Sequence, residues 1–148
     1  MNADIIEQWE KNKNKFEEIL KKAVIKKTFR YEYEFLLSIL IKHVINRDRS
    51  DKYLDLEYDL LYNEDDITKI QLGHYNGDYL FIVKPDFEYC SVGSLWVTKV
   101  FYGSCSGCDE MIAAEYQESD PKEKVDILMG LSLNIIQEFK PLSLLYPI

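Results

Sequence analysis

Ser94-Leu-Trp-Val-Thr-Lys-Val-Phe-Tyr-Gly-Ser-Cys-Ser-Gly-Cys-Asp109 is the stretch that decides the fold. The β-branched and aromatic residues up to Tyr102 are typical of a buried strand, and the Gly, Ser and Cys residues after it predict a tight turn. The helix-like sequence 110–116 follows directly. A strand, a turn and a helix in this order predict an α+β protein organised around the strand at 94–102.

Two further strands are predicted at 67–72 and 79–83, on either side of a Gly-rich connection. The dipeptide Asn76-Gly77 within it favours a two-residue hairpin turn, because both central positions of such a turn need positive φ. Pro85 ends the second strand. Together with 94–102, these segments predict an antiparallel sheet of about three strands.

Four helices are predicted from apolar residues at helical spacing, over 4–27, 31–47, 109–117 and 121–139. The helix over 31–47 is apolar almost all round, so it should be the most buried. Asp120 and Pro121 form a strong start signal for the last helix. A chain of 148 residues is expected to fold as one domain, 1–148, with these helices covering one face of the sheet.

The net charge of -8 is unevenly distributed. Residues 1–30 carry eight Lys and Arg against five Asp and Glu, whereas residues 51–80 carry two against eight. An acidic middle disfavours nucleic acid and anionic membranes and favours a basic protein partner, although solubility alone also accounts for it. No apolar run has membrane-spanning length and no secretory signal is present, so a cytoplasmic protein is expected.

The acidic middle supplies the candidate protein-binding residues. They are Asp55, Glu57, Asp59, Glu64, Asp65 and Asp66. The sequence 53–62 fits a short helix or a strand; as a strand it would align its first three acids in a conceivable metal-binding row. Direct nucleic-acid binding by the Lys-rich first helix conflicts with the overall charge.

The turn Cys105-Ser-Gly-Cys108 has three interpretations. Thiol redox chemistry is the first, since CxxC pairs near a helix start are often reactive. A zinc site is the second, completed by Cys90, His43 or His74, although no second CxxC pair is present. The third, which we favour, is structural: Gly103 and Gly107 permit a tight reversal, and Asp109 or Ser106 caps the next helix. An odd number of cysteines without a signal sequence predicts reduced thiols.

Common enzyme signatures are absent from the sequence. It contains no GxxxxGK[ST], GxGxxG, HExxH or GxSxG motif. We therefore expect a protein without catalytic residues, cofactor or resident metal.

The octapeptide Tyr102-Gly-Ser-Cys-Ser-Gly-Cys-Asp109 resembles a motif of small uncharacterised proteins of bacteriophages and prophages. The resemblance includes the strand before it and a hairpin with a Gly73-x-Tyr75-x-Gly77 core, and it covers about residues 65–140. It implies a phage origin and a host-cytoplasm setting, and it transfers no catalytic residues.

These observations favour a non-enzymatic acidic phage accessory protein that binds a host or phage protein. In one version, the six candidate acids replace phosphates and occupy the nucleic-acid groove of a host-defence enzyme. The alternative is a thiol-redox or zinc-binding protein that uses Cys105 and Cys108. The apolar tail 142–148 could dock on the core or on a second copy, which would give a homodimer.

Overall fold

The computed structural model describes residues 2–45, 67–83, 95–105, 107–116 and 120–141, which form an α+β fold as predicted. The helices in these ranges are α1 (Asn2–Lys26), α2 (Tyr33–Leu40, continued by the π-helical turn Ile41–Ile45), α3 (Glu110–Tyr116) and α4 (Pro121–Glu138). The strands are β1 (Ile67–His74), β2 (Asn76–Val83), β3 (Trp96–Tyr102) and β4 (Lys140–Pro141). They form one antiparallel sheet in the order β1-β2-β3-β4.

The short strand β4 was not predicted. The Phe139 ring stacks on Trp96 with the ring centroids 5.4 Å apart, and Phe139 is buried. Burying this ring brings the chain after α4 alongside the start of β3, where Lys140 pairs with Val97. Lys140-Pro141 therefore both ends the helix and adds a fourth strand.

Helix α4 packs on the sheet through β3. The Thr98 hydroxyl donates a hydrogen bond of 3.0 Å to the Ile135 carbonyl, and both residues are buried. At the start of α4 the Asp120 carboxylate accepts from the Lys122 amide at 3.0 Å, which confirms the predicted cap. One apolar cluster joins the helices to the sheet, and its fully buried large side chains include Phe16, Leu20, Leu36, Leu37, Phe81, Leu128 and Ile135.

The π-helical turn that follows α2 packs against α1. The buried Asn12 side chain donates to the Val44 carbonyl at 3.1 Å. A side-chain amide of α1 thus supplies a hydrogen bond to the irregular backbone that follows α2. His43 on this turn is 1% exposed, so its imidazole is buried. The predicted helix over 31–47 thus changes to π geometry from Ile41, within the part of it that is described.

The hairpin turn differs from the prediction. Tyr75, with φ of 60°, forms the tip between the paired residues His74 and Asn76, and Asn76 does not take positive φ. Gly73 and Gly77 pair across the strands with φ of 124° and 153°. A Cβ at Gly73 would lie 2.5 Å from the Asn76 carbonyl oxygen, so this hairpin needs glycine on both sides of a left-handed tyrosine.

Several predicted features lie outside the described residues. They are the sequence 53–62, the six candidate acidic residues, Cys90, Ser106 and the tail 142–148. Among the helices that are described, none combines the length and the apolar character needed to cross a membrane.

Candidate functional site

The CxxC turn begins directly after β3 and contains a Cys105–Cys108 disulfide. The turn brings the two Cα atoms to 5.3 Å, within the range that a disulfide spans, and the pair is bonded here where reduced thiols were predicted. The Cys108 amide donates to the Cys105 carbonyl at 3.0 Å, and the Cys105 amide lies 2.9 Å from Cys108 Sγ. Cys105 is exposed and Cys108 is half-buried.

Gly103 allows the chain to reverse at this point. A Cβ at Gly103 would collide with the Cys108 carbonyl and would lie 2.9 Å from Cys108 Sγ. The predicted need for glycine is therefore confirmed at position 103. It does not extend to Gly107, where an added Cβ would meet no atom within 4 Å.

Asp109 connects the turn to the rest of the molecule. Its side chain is 6% exposed, and Oδ1 accepts from the amides of Met111 at 2.9 Å and Ile112 at 3.2 Å. These two bonds confirm the predicted cap of α3. Oδ2 accepts from the Gly103 amide at 2.9 Å, which closes the turn between the end of β3 and the start of α3.

Tyr33 supplies a further partner that sequence reasoning missed. Its hydroxyl donates to Asp109 Oδ1 at 2.6 Å, and its ring packs edge-on against Tyr79. Burial raises the pKa of Tyr33 well above its ordinary value, and the hydrogen bond to Asp109 raises it further. No local signal links positions 33 and 109, because the contact depends on how α2 packs against the end of the sheet.

A cleft of about 600 Å³ opens beside the disulfide. Its walls come from β2, β3, the CxxC turn, α3 and α4. The apolar part includes Phe101 and Leu131. Charged side chains also line it: Asp78, Glu110 and Glu138 are acidic, and Lys99 is basic. Cys108 lies in the wall, so the sulfur pair borders a space that a ligand could enter.

A second feature is the face of the hairpin and β3 that lies opposite Tyr79 and Tyr102; it meets the cleft at Phe101, which borders both. Ile70 pairs with Leu80, and Asp78 lies between Leu72 and Phe101 in the strand register. Because successive strand residues alternate between faces, Ile70, Leu72, Leu80 and Phe101 share one side, which we name the hairpin face. Leu72 is 49% exposed and Phe101 57% exposed.

The opposite side of the hairpin is filled by aromatic rings. Tyr79 stacks on Tyr102 with centroids 4.1 Å apart, and the Tyr102 hydroxyl donates to the Gly73 carbonyl at 2.9 Å. Lys69 Nζ lies 4.7 Å from the Tyr79 ring centroid and 3.1 Å from the Glu34 carboxylate. These contacts fix the hairpin against α2 and leave the hairpin face as its accessible apolar side.

The predicted metal residues are not brought together in the part of the chain that can be described. His43 is buried on the π-helical turn, whereas His74 is exposed at the end of β1. Within the described ranges, no group of three His, Cys, Asp or Glu side chains is arranged to hold a metal ion.

Searches against protein-family models, curated proteins and solved structures find no match to this chain.

Proposed function

We propose that this chain is a non-enzymatic accessory protein that binds a protein partner through its hairpin face. The observation that carries the proposal is the exposure of Ile70 and Leu72 on β1 and of Phe101 on β3, all on one side of the sheet. Exposed apolar side chains that share one surface, here with Asp78 between Leu72 and Phe101, are typical of protein interaction sites. Tyr75, 84% exposed at the hairpin tip, extends this surface with a residue type common in interfaces.

The charge of the chain indicates what kind of partner would fit. Glu64, Asp65 and Asp66 immediately precede β1 in the sequence, and five further acids lie between positions 51 and 80. A partner with an apolar centre and a basic rim would match this combination, because complementary charges steer association and apolar contacts supply affinity. Nucleic-acid-binding proteins commonly present basic surfaces of this kind.

The resemblance to small phage proteins gives the proposal a biological setting. A phage accessory protein in the host cytoplasm would act on a host or phage protein. In the most specific version it inhibits a host-defence enzyme, with the acids at 55, 57, 59 and 64–66 in place of the phosphates of nucleic acid.

The test separates the hairpin face from apolar surface in general. Leu72→Lys and Ile25→Lys introduce the same charge at exposed apolar positions, 49% and 57% exposed respectively, on β1 and on α1. Partners captured from host lysate by the unmodified protein would be quantified with each variant. Loss of a partner with Leu72→Lys and its retention with Ile25→Lys supports the proposal, and equal retention contradicts it.

The nucleic-acid mimic is tested separately. Replacing the six acids with Asn and Gln should weaken binding of a captured partner strongly, and rising salt should weaken binding of the unmodified protein in parallel. A partner that binds the neutralised protein as tightly as the original would exclude mimicry and leave the hairpin face as the binding site.

A further inference from the structure

We propose that Cys105 and Cys108 form a thiol–disulfide exchange site that favours positively charged thiols, because the cleft beside Cys108 carries an excess of acidic side chains. This goes beyond binding at the hairpin face. It rests on the sulfur pair, on the order in which its sulfurs are exposed, and on the charges around the cleft.

The two cysteines differ in exposure, from which we assign their roles. Cys105 is exposed, whereas Cys108 is half-buried in the cleft wall. An incoming thiolate therefore reaches Cys105 Sγ more easily. Disulfide exchange proceeds by attack along the sulfur–sulfur bond, so attack on Cys105 expels Cys108.

The backbone is placed to stabilise the departing sulfur. The Cys105 amide lies 2.9 Å from Cys108 Sγ, so its N–H would donate to the thiolate that forms there. A hydrogen bond to the charged form lowers the pKa of a thiol, and a thiol of lower pKa leaves faster. The exposed sulfur is thus the point of attack and the half-buried one the leaving group.

The exchange balances without any other oxidant. A substrate thiolate attacks Cys105 Sγ, a mixed disulfide forms, and the bond to Cys108 breaks to give the Cys108 thiolate. A second substrate thiolate then attacks the substrate sulfur of the mixed disulfide, which releases Cys105 as a thiolate. Two substrate thiols become one disulfide, the protein disulfide becomes two thiols, and protons are exchanged with solvent. A substrate disulfide reverses the sequence.

The turn also has hydrogen bonds that do not involve the disulfide. Asp109 Oδ2 accepts from the Gly103 amide, and Oδ1 accepts from the Met111 amide, both at 2.9 Å. These bonds bracket the CxxC sequence from both ends. They hold Cys105 and Cys108 close together in the dithiol form, so that the disulfide can form again.

The cleft charges select the substrate. Among the described lining residues, Asp78, Glu110 and Glu138 are acidic and Lys99 is basic, while the Asp109 carboxylate is occupied by its hydrogen bonds. This excess of negative charge attracts cationic thiols and repels anionic ones at low ionic strength. The shared chemistry is a thiol beside a positive charge, either on a small amine or on a cysteine flanked by lysines.

The experiment compares thiols of equal length and different charge. All proteins carry Cys90→Ser so that only the pair reacts. Reduction of the protein disulfide is timed with cysteamine, 2-mercaptoethanol and 2-mercaptoethanesulfonate, each normalised to its rate with an uncharged reference disulfide. We expect the normalised rate of reduction with cysteamine to exceed that with the sulfonate by about tenfold at low salt and by less than about twofold at 1 M salt. A Lys-Cys-Lys peptide that reacts faster than cysteamine would assign the site to protein cysteines, and equal rates would assign it to small amines.

Variants test the roles of the individual residues. Glu138→Lys should lower the cysteamine preference about threefold, whereas Asp126→Lys, the same kind of charge reversal on α4 outside the cleft, should not. The Cys108→Ser variant should form a mixed disulfide at Cys105 faster than the Cys105→Ser variant forms one at Cys108. Any of three results would overturn the proposal. The cysteine pair could stay unbonded in oxidising buffer, the three thiols could react at equal normalised rates, or the two serine variants could be labelled equally fast.

Discussion

The Tyr33 hydroxyl donates to the Asp109 carboxylate at 2.6 Å across 76 positions of sequence. The same carboxylate accepts from the Gly103 amide and from two amides at the start of α3. One buried side chain thereby joins the start of α2, the end of β3 and the start of α3. Both the cleft and the CxxC turn depend on this junction for their geometry.

Removal of the Tyr33 hydroxyl should destabilise the fold. Tyr33→Phe keeps the ring against Tyr79 and deletes a hydrogen bond to a buried carboxylate, which should cost about 1.5–3 kcal/mol. Urea denaturation measures the change. Tyr116→Phe makes the same substitution at an exposed position and should have almost no effect; equal effects of the two variants would contradict the assignment.

The raised pKa of Tyr33 predicts a pH dependence at alkaline pH. The unfolded chain loses the phenol proton near pH 10, whereas the folded chain keeps it to higher pH. Above pH 10 the unfolded state therefore binds fewer protons than the folded state. The stability that the neutral Tyr33 phenol contributes falls as pH rises, by at most about 1.4 kcal/mol per pH unit. The difference in stability between the original protein and Tyr33→Phe should shrink from pH 9 to pH 11, and a constant difference would contradict this prediction.

Asp109→Asn should be strongly destabilising although it is nearly isosteric. An amide has only one acceptor oxygen, so its NH₂ group would face either the Gly103 amide or the donors around Oδ1. We expect a loss of about 2–4 kcal/mol, since a buried donor is left without an acceptor and the charge that strengthened the other bonds disappears. Asp126→Asn on the exposed side of α4 should change the free energy of unfolding by less than about 0.5 kcal/mol.

Lys27→Gly should stabilise the protein. Lys27 has φ of 60° after the last turn of α1, where its amide donates to Val24 and the Thr28 amide donates to Ala23. This is the hydrogen-bond pattern of a Schellman motif, whose left-handed position favours glycine. We expect a gain of about 0.5–1 kcal/mol in thermal or urea denaturation. Lys22→Gly within α1 should instead cost about 1 kcal/mol, so effects of the same sign would contradict the prediction.

Two glycine substitutions should have opposite effects. Gly130 lies inside α4 with open space where a Cβ would be, so Gly130→Ala should stabilise by about 0.5–1 kcal/mol. Gly77 has φ of 153°, and a Cβ there would collide with the Leu72 carbonyl oxygen. Gly77→Ala should therefore destabilise the hairpin, by more than the gain at Gly130, and a stabilised Gly77→Ala protein would exclude this hairpin geometry.

The sequence by itself determined the element order, because hydrophobic periodicity and end signals are local. The Asp120-Pro121 start of α4 and the strands that flank the hairpin are examples, and Gly103 was identified from the turn composition alone. The hairpin tip was placed wrongly, since the pairing of Gly73 with Gly77 depends on how the strands align. The Tyr102 hydroxyl on β3, which donates to the Gly73 carbonyl, adds a contact to that alignment from outside the hairpin.

Tertiary structure alone decided the long-range features of the molecule. The junction of Tyr33 with Asp109, the fourth strand created by burial of Phe139, and the exposure of Cys105 beside a cleft all arise from segments far apart in sequence. Their free energies come from packing and from hydrogen bonds in buried surroundings, which exist only after the helices have closed over the sheet. A local pattern can specify a strand or a cap, but it cannot specify which distant side chain will complete a buried carboxylate's set of donors.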